Sequence, residues 1–242
     1  MAPYVLTNSK LWLAEFDLSG DLNAIAIDYK AELKDDTTFG QGTRIRKGGL
    51  KVVTVDGEGF WNGGIGAIDD VLFAKVGVAD VPLTIAPETG AEGQPGFGLL
   101  AIVGDYAPGG EIGELLPFSV AAESDGDLVR GTIMLNRTAA ASANSGTALQ
   151  LGAVGATQKL YAALHVIAAS GTTPTLDVIV KSDDAVGFAS PTNRITFAQK
   201  TAAGSQWAAP VAGPITDTFW RVDFTIGGAG PIFSFVVLVG IG

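Results

Sequence analysis

Few side chains in this sequence are of a type that acts as a base, a nucleophile or a metal ligand. The chain has 242 residues, one histidine (His165) and no cysteine. A histidine can serve as a general base. His165, however, lies in the apolar segment YAALHVIAA, and no serine stands in the G-x-S-x-G motif of a nucleophile elbow. We therefore favour a buried strand histidine over the alternative of a lone catalytic base.

Carboxylates occur as three adjacent pairs, Asp35-Asp36, Asp69-Asp70 and Asp183-Asp184. Neighbouring residues of a strand point to opposite faces, so such a pair rarely binds one metal ion. Glycoside hydrolysis needs two acids held across a cleft, and the spacing of an EF-hand is absent. We predict that the protein is not an enzyme and has no catalytic residue, no metal site and no cofactor. A calcium ion near KSDDAVGF, residues 181–188, is the alternative.

A glycine-rich segment, GGIGAIDD at residues 63–70, precedes a stretch of helical periodicity. Such a segment can cradle an anion at a helix N-terminus. This one lacks the spacing and the lysine of a Walker motif, and its two aspartates would repel a phosphate. We interpret it as the flexible entry to a helix.

Two tryptophans bear on sugar binding, because exposed indole rings can stack on sugars. Trp220 alternates with Val222 and Phe224, which favours a core position. Trp207 lies in the glycine- and proline-rich segment GSQWAAPVAGP and is the better exposed candidate. Trp207 is therefore the possible glycan contact under the alternative of a carbohydrate-binding or host-adhesion protein.

The elements that hold these residues are predicted to be mostly strands. Apolar residues alternate in NAIAIDY and in WRVDFTI. Asp56-Gly57 and Asp125-Gly126 suit turns with positive φ, so we predict a turn within LKVVTVDGEGFW and a hairpin at 116–135. One helix is predicted at 66–77, with acidic residues in its first turn.

Negative charge is concentrated in one half of the chain. The net charge is −10; residues 1–136 hold 20 acidic and 9 basic residues, and residues 137–242 hold 5 acidic and 6 basic residues. The small polar segment RTAAASANSGT at 137–147 is typical of a linker. We predict one domain at 1–136 and a second at 148–242, a β-sandwich of jelly-roll or immunoglobulin-like type. An acidic domain repels phosphate, which argues against tight nucleic-acid binding.

The apolar segments do not predict insertion into a membrane. The longest apolar run, IFSFVVLVGIG, has 11 residues, whereas a transmembrane helix needs about 20. The N-terminus lacks the pattern of a signal peptide. We interpret the apolar run as a buried strand.

Several segments follow one another in a distinctive order: LWLAEFDLSGDLNAIAIDY, DDTTFG, GEGFW, the predicted helix, PLTIAP and GEIGELLPFSVAAESDGDLVRGTI. This order resembles the major tail tube proteins of long-tailed, siphophage-like bacteriophages. The resemblance covers about residues 4–136 and implies a mainly β fold: a tail-tube β-sandwich or barrel with one short helix, here followed by the second β-domain.

The resemblance implies a structural virion protein that assembles with itself. Copies would form stacked rings around an acidic lumen through which phage DNA passes without specific binding, with other tail proteins at the tube ends. The protein would be made in the bacterial cytoplasm and located in the virion. We expect six chains per ring with the C-terminal domain outside. Three chains with two tube domains each, or a capsid decoration protein, are the alternatives.

The segment DDTTFGQGTRIRKGGLK at 35–51 resembles the arm by which a tail tube subunit reaches the next ring. Its mixed charges would set register through ion pairs, and its aromatic residue would be the anchor. The predicted contact residues are Asp35, Asp36, Thr37, Thr38, Phe39, Gly40, Arg44, Arg46 and Lys47.

Overall fold

The computed structural model describes residues 8–242. Within them, fifteen strands pair in antiparallel ladders and one short helix is present, which confirms the mainly β fold class. In chain order the elements are β1 (Lys10–Leu13), β2 (Phe16–Asp17), β3 (Leu22–Asp35), β4 (Arg46–Phe60), α1 (Ile68–Lys75), β5 (Val81–Ala86), β6 (Pro95–Pro108), β7 (Pro117–Ser124), β8 (Val129–Ala140), β9 (Asn144–Ser145), β10 (Leu149–Gln150), β11 (Lys159–Asp183), β12 (Thr192–Thr196), β13 (Gly204–Trp207), β14 (Val211–Ala212) and β15 (Phe219–Ile241).

The described residues divide into two compact units. The first unit holds the described residues up to Gly20, residues 81–100 and residues 127–242; the second holds residues 21–80 and 101–126. Strand β6 contributes residues 95–100 to the first unit and 101–108 to the second. Each unit is therefore built from separate stretches of the sequence.

This division differs from the predicted boundary at 137–147. Strand β8 continues to Ala140, and Asn144–Ser145 form β9, which pairs with β15 where Ser145 lies opposite Asp223. Small polar side chains suit a linker, but they are equally compatible with a strand whose main-chain groups find partners in a sheet. The composition of this segment therefore did not reveal its structure.

Strands β11 and β15 form a long hairpin within the first unit. Their ladder runs from Leu160 opposite Ile241 to Asp183 opposite Phe219. Residues 160–166 are buried throughout, although successive side chains point to opposite faces. A nearly continuous apolar run is typical of a strand that is covered on both sides.

Two apolar clusters cover the two faces of this hairpin. One contains Leu164 and Phe235; the other contains Ala163 and Val236, which pack with Trp12 of β1. The strand order in this unit is β12-β11-β15-β8-β6-β5-β1-β2. The C-terminal apolar run is thus a buried strand, as predicted.

The second unit is a smaller sheet in the order β3-β4-β7-β6 with helix α1. The helix buries Ile68, Val71 and Leu72. At its C-terminus the amide of Gly77, which has φ +75°, donates to the carbonyl of Val103 in β6 at 2.9 Å. The observed helix lies within the predicted range of 66–77 and has both aspartates of its first turn near the positive end of its dipole.

The predicted turn at Asp56-Gly57 is wrong, because β4 runs straight through it. Asp56 pairs with Ala26 of β3 and with Ala121 of β7. A Cβ atom at Gly57 would lie 3.0 Å from Cγ1 of Val120. The glycine is therefore explained by close packing between strands and not by a turn.

The predicted hairpin at 116–135 is also wrong, although both of its strands exist. Strand β7 pairs with β4 and with residues 101–108 of β6, whereas β8 pairs with β15 and with residues 95–98 of β6. An Asp-Gly pair between two apolar strands favours a hairpin locally. Here β7 pairs instead with the preceding strand β6 and with β4, and β8 pairs with more distant strands.

Candidate assembly site: an exposed arm and an acidic sheet face

Strands β3 and β4 form a hairpin that extends far beyond the part of β4 that pairs with β7. The hairpin ladder runs from Leu22 opposite Gly59 to Asp35 opposite Arg46. Its fourteen-residue strand β3 spans about 45 Å at the usual rise of a strand. Every residue from 29 to 52 is exposed, and we call residues 29–52 the arm. All nine predicted contact residues lie in it, so the structure brings them together at one end of one hairpin.

The turn of the arm is held by its own hydrogen bonds. The carboxylate of Asp35 accepts from the amide and the hydroxyl of Thr37, at 3.0 and 2.5 Å, and these bonds hold its pKa below the ordinary value of an aspartate. The Thr37 hydroxyl in turn accepts from the amide of Ile45 at 3.0 Å, and the amide of Asp36 donates to the carbonyl of Ile45 at 2.9 Å. Gly40 adopts φ +88° at the tip.

The acidic residues of the arm pair with basic residues of the same arm. Asp35 lies 3.9 Å from Arg44, and Asp36 lies 2.6 Å from Lys47. These pairs occupy the aspartates that were predicted to meet a neighbouring ring. Such exposed pairs contribute little to stability, so they remain exchangeable in an assembly.

Large apolar side chains stand on the arm without cover. Phe39 at the tip is 109% exposed and Leu50 is 83% exposed. Tyr29, Leu33 and Ile45 are exposed as well. Clustered apolar exposure of this kind marks interaction surfaces. The anchor role of Phe39 stays a prediction. Its full exposure leaves the ring free to pack on another chain.

Charge separates the arm from the rest of its unit. The arm holds six basic and three acidic residues, a net charge of +3. The other residues of the second unit hold twelve acidic residues and one basic residue, a net charge of −11. Most of the negative charge that the sequence places in residues 1–136 therefore lies in the sheet of the second unit, and the arm that extends from this sheet is basic.

One face of the second unit's sheet carries carboxylates among small side chains. Residues directly opposite each other on paired strands share a face. Asp56 lies opposite Ala26 and Ala121, and Ala121 lies opposite Asp105. We call the carboxylates on this side the acidic face; they are Asp28, Asp56, Glu58, Asp105 and Glu123.

Most positions between these carboxylates are small; they are Ala24, Ala26, Thr54, Ala107, Ser119 and Ala121. Ile102, which lies opposite Glu123, is a larger residue on the same face. Four of the five carboxylates are exposed, and Asp28 is partly exposed and pairs with Lys30 at the start of the arm. The result is a negatively charged surface.

A bulge in β6 directs Asp105 to this face. The register with β7 shifts between Val103, opposite Ala122, and Asp105, opposite Ala121. In a regular strand Val103 and Asp105, which are two residues apart, would share a face. With the bulge, Val103 joins the buried apolar side of the sheet, and Asp105 joins the carboxylates.

His165 is a core residue, as favoured from the sequence. It is fully buried; its Nδ1 lies 2.6 Å from the carbonyl oxygen of Ala14, and its Nε2 lies 2.8 Å from the hydroxyl of Thr84. Burial lowers its pKa to about 4, although the hydrogen bond to Ala14 opposes that shift. With both nitrogens engaged and no solvent access, it has no route to a substrate.

The two tryptophans of interest are both packed. Trp220 is fully buried and donates from Nε1 to the carbonyl of Gly152 at 2.8 Å. Trp207 is partly buried and packs against Tyr161, with ring centroids 6.3 Å apart. A Cβ atom at Gly98 would lie 3.2 Å from the Trp207 ring. Trp220 is therefore a core residue, as favoured from the sequence, whereas Trp207 is half-buried.

In the segment KSDDAVGF, Asp183 forms hydrogen bonds with nearby main-chain amides. The carboxylate of Asp183 accepts from the amides of Ala185 and Ser190, at 3.1 and 3.0 Å. Within residues 8–242 no group of three or more His, Asp or Glu side chains is arranged to bind a metal ion. In that same part of the chain, no helix is both long and apolar enough to cross a membrane.

No protein-family model matches the chain, and no curated protein matches it. Its structural neighbours are phage tail tube and hub proteins. The virion of the native gene transfer agent particle matches at 15% identity and a TM-score of 0.39, over 49% of this chain and 92% of that chain. The SPP1 tail tube matches at 9% identity and a TM-score of 0.44, over 53% of this chain and 78% of that chain. The Dit protein of SPP1 matches at 10% identity and a TM-score of 0.40, over 98% of this chain and 100% of that chain. These likenesses concern the fold.

Proposed function

We propose that the chain is a structural subunit of a phage tail tube, which assembles with copies of itself around a conduit for DNA. The observation that carries this proposal is the acidic face: five carboxylates among small residues on one side of a four-stranded sheet. A basic arm extends from the same sheet. The acidic face suits the wall of the conduit, and the exposed arm suits contact with a neighbouring copy.

The acidic face suits the wall of a DNA conduit. DNA carries one phosphate charge per roughly 1.7 Å of duplex, and a wall of like charge prevents adhesion. Short side chains keep such a wall smooth, since alanine, serine and threonine occupy the places between the carboxylates. We assign Asp56, Glu58, Asp105 and Glu123 to the lumen.

The edge of this sheet offers a route to a ring. Among residues 8–242, strand β3 pairs with β4 alone, so its other side presents main-chain groups that are unpaired within this part of the chain. Exposed edges of this kind pair readily with a strand of another chain. With one acidic face per chain, we favour six chains in a ring.

Electron microscopy of the purified protein tests assembly. We expect rings and stacked tubes at high protein concentration. A protein that stays monomeric by light scattering at every accessible concentration would contradict the proposal. Isolated rings that never stack would contradict the tube and limit the role to a ring-forming tail component.

Charge reversal tests the lumen. In tubes of the Glu58→Lys/Glu123→Lys variant, we expect the retention of DNA fragments at 50 mM salt to rise about tenfold and to fall again with added salt, because lysines in the wall bind phosphate. Co-sedimentation of labelled DNA with the tubes measures this. The matched control, Glu15→Lys/Glu88→Lys in the first unit, should retain no more DNA than the wild type. Equal retention by both variants would refute the assignment.

A further inference from the structure

The second unit has a second exposed surface, at the end of β4 remote from the arm. Strand β4 begins in the arm and ends at Phe60, and its fifteen residues span about 50 Å. Just beyond Phe60, the amide of Trp61 donates to the carbonyl of Leu116 at 2.8 Å, which holds loops 61–67 and 109–116 side by side. The two loops thus form one surface at the opposite end of the strand.

This surface is rich in uncovered apolar side chains. Ile65 is 103% exposed and Ile112 is 107% exposed. Clusters of such residues on a soluble protein mark interaction sites. We call the set the far end; it consists of Phe60, Trp61, Ile65, Ile112, Leu115 and Leu116.

The far end is acidic where the arm is basic. Loop 109–116 contributes Glu111 and Glu114, both exposed, and the two loops contain no basic residue. Neither glutamate has a salt-bridge partner within residues 8–242. On the arm, Arg46 is likewise outside the ion pairs formed by its neighbours there.

We propose that the far end is the surface on which the arm of a second copy of this chain docks. Phe39 would pack among the apolar residues of the far end, and Arg44 and Arg46 would lie against Glu111 and Glu114. The inference rests on the proposed function, in which copies stack. It names the receiving surface that such stacking requires.

The positions of the two surfaces agree with open stacking. They are different patches at opposite ends of one strand, so contact between them is heterologous. A heterologous contact that runs along the strand direction does not close on itself and repeats from copy to copy. The opposite charges at the two ends steer the encounter and disfavour contact between two arms.

Because the chain lacks cysteine, single introduced thiols give a direct test. Thr38→Cys places a thiol on the arm, and Ile112→Cys places one on the far end. The two variants are mixed, allowed to assemble and treated with a short bis-maleimide. The matched control mixes Thr38→Cys with Val186→Cys, whose thiol stands at an exposed site of the first unit. Circular dichroism confirms that each variant is folded.

We expect the Thr38/Ile112 mixture to form covalent dimers at least about tenfold faster than the control, because apposed thiols reach millimolar effective concentrations. Equal rates in tubes that form normally would overturn the docking proposal and leave the proposed function standing. Absence of tubes from the wild-type protein would overturn both.

Charge reversal gives an independent readout. Glu111→Lys/Glu114→Lys should shorten tubes or leave single rings, and combining it with Arg44→Glu/Arg46→Glu should restore stacking. Tubes of wild-type length from Glu111→Lys/Glu114→Lys alone would overturn the proposal. Failure of the combined variant to exceed either parent would do the same.

Discussion

The two units of this chain differ in what they do with their apolar and charged side chains. The first unit has a net charge of −2 and buries its long hairpin on both faces, with Trp220, Phe233 and Phe235 fully enclosed. The second has a net charge of −8, and it exposes its arm, its acidic face and its far end. Both units have buried apolar residues, but the second also leaves a concentration of large apolar side chains exposed.

The largest expected difference in stability is between the removal of a buried aromatic side chain of the first unit, Trp220, and that of an exposed one of the second, Phe39. Trp220→Ala should lower the free energy of unfolding by about 3–5 kcal/mol, because it leaves a cavity in a packed core. Phe39→Ala should leave that free energy unchanged within about 0.5 kcal/mol, as for other exposed positions, and should abolish stacking. Denaturant titration measures the first effect and microscopy the second.

The outcomes that would break this contrast are equally specific. A large loss of stability in Phe39→Ala would place the arm in the folded core of the subunit. Full-length tubes from Phe39→Ala would remove the anchor role of this residue. Leu50→Ala, a similar truncation farther from the tip, serves as the control.

The buried histidine makes the stability of the first unit depend on pH. Its folded pKa of about 4 lies below the ordinary value of 6.5, so the unfolded chain binds the proton more readily. The stabilisation is complete above pH 6.5 and is lost as the pH falls toward 4. We expect about 2–3 kcal/mol less stability at pH 4.5 than at pH 7 from this residue.

The matched measurement uses His165→Gln, which keeps a polar group at the site. The variant is expected to be less stable at pH 7 and to show a smaller loss between pH 7 and pH 4.5. A pH dependence identical to that of the wild type would show that His165 does not titrate in this range.

The smallest effect is expected from an ion pair of the arm. Asp36→Asn removes the partner of Lys47, and exposed pairs of this kind are worth less than about 1 kcal/mol. The free energy of unfolding should hardly change, and stacking should persist. A loss of more than about 2 kcal/mol would mean that the pair holds the arm in place, contrary to its exposure.

The sequence alone predicted the features that arise from local patterns. Alternation placed Val222 and Phe224 in a buried strand, and the Asp69-Asp70 pair and Gly77 marked the helix ends. These signals are local because backbone conformation and side-chain direction repeat over a few residues.

Long-range pairing was not predictable from the same signals. Asp56-Gly57 has the composition of a turn, yet it lies within a strand because β3 and β7 pair with it on either side. The acidic face was missed for the same reason. Asp56 and Glu58 alternate with Val55 and Gly57, which is a visible period-two signal, but Asp105 joins them only through the bulge at Gly104.

An image of the assembled particle down its axis tests the central claim most directly. A cryo-electron microscopy map should show rings in which Asp56, Glu58, Asp105 and Glu123 face the central channel. A map with these carboxylates on the outer surface, or a protein that forms no ring at all, would contradict the account.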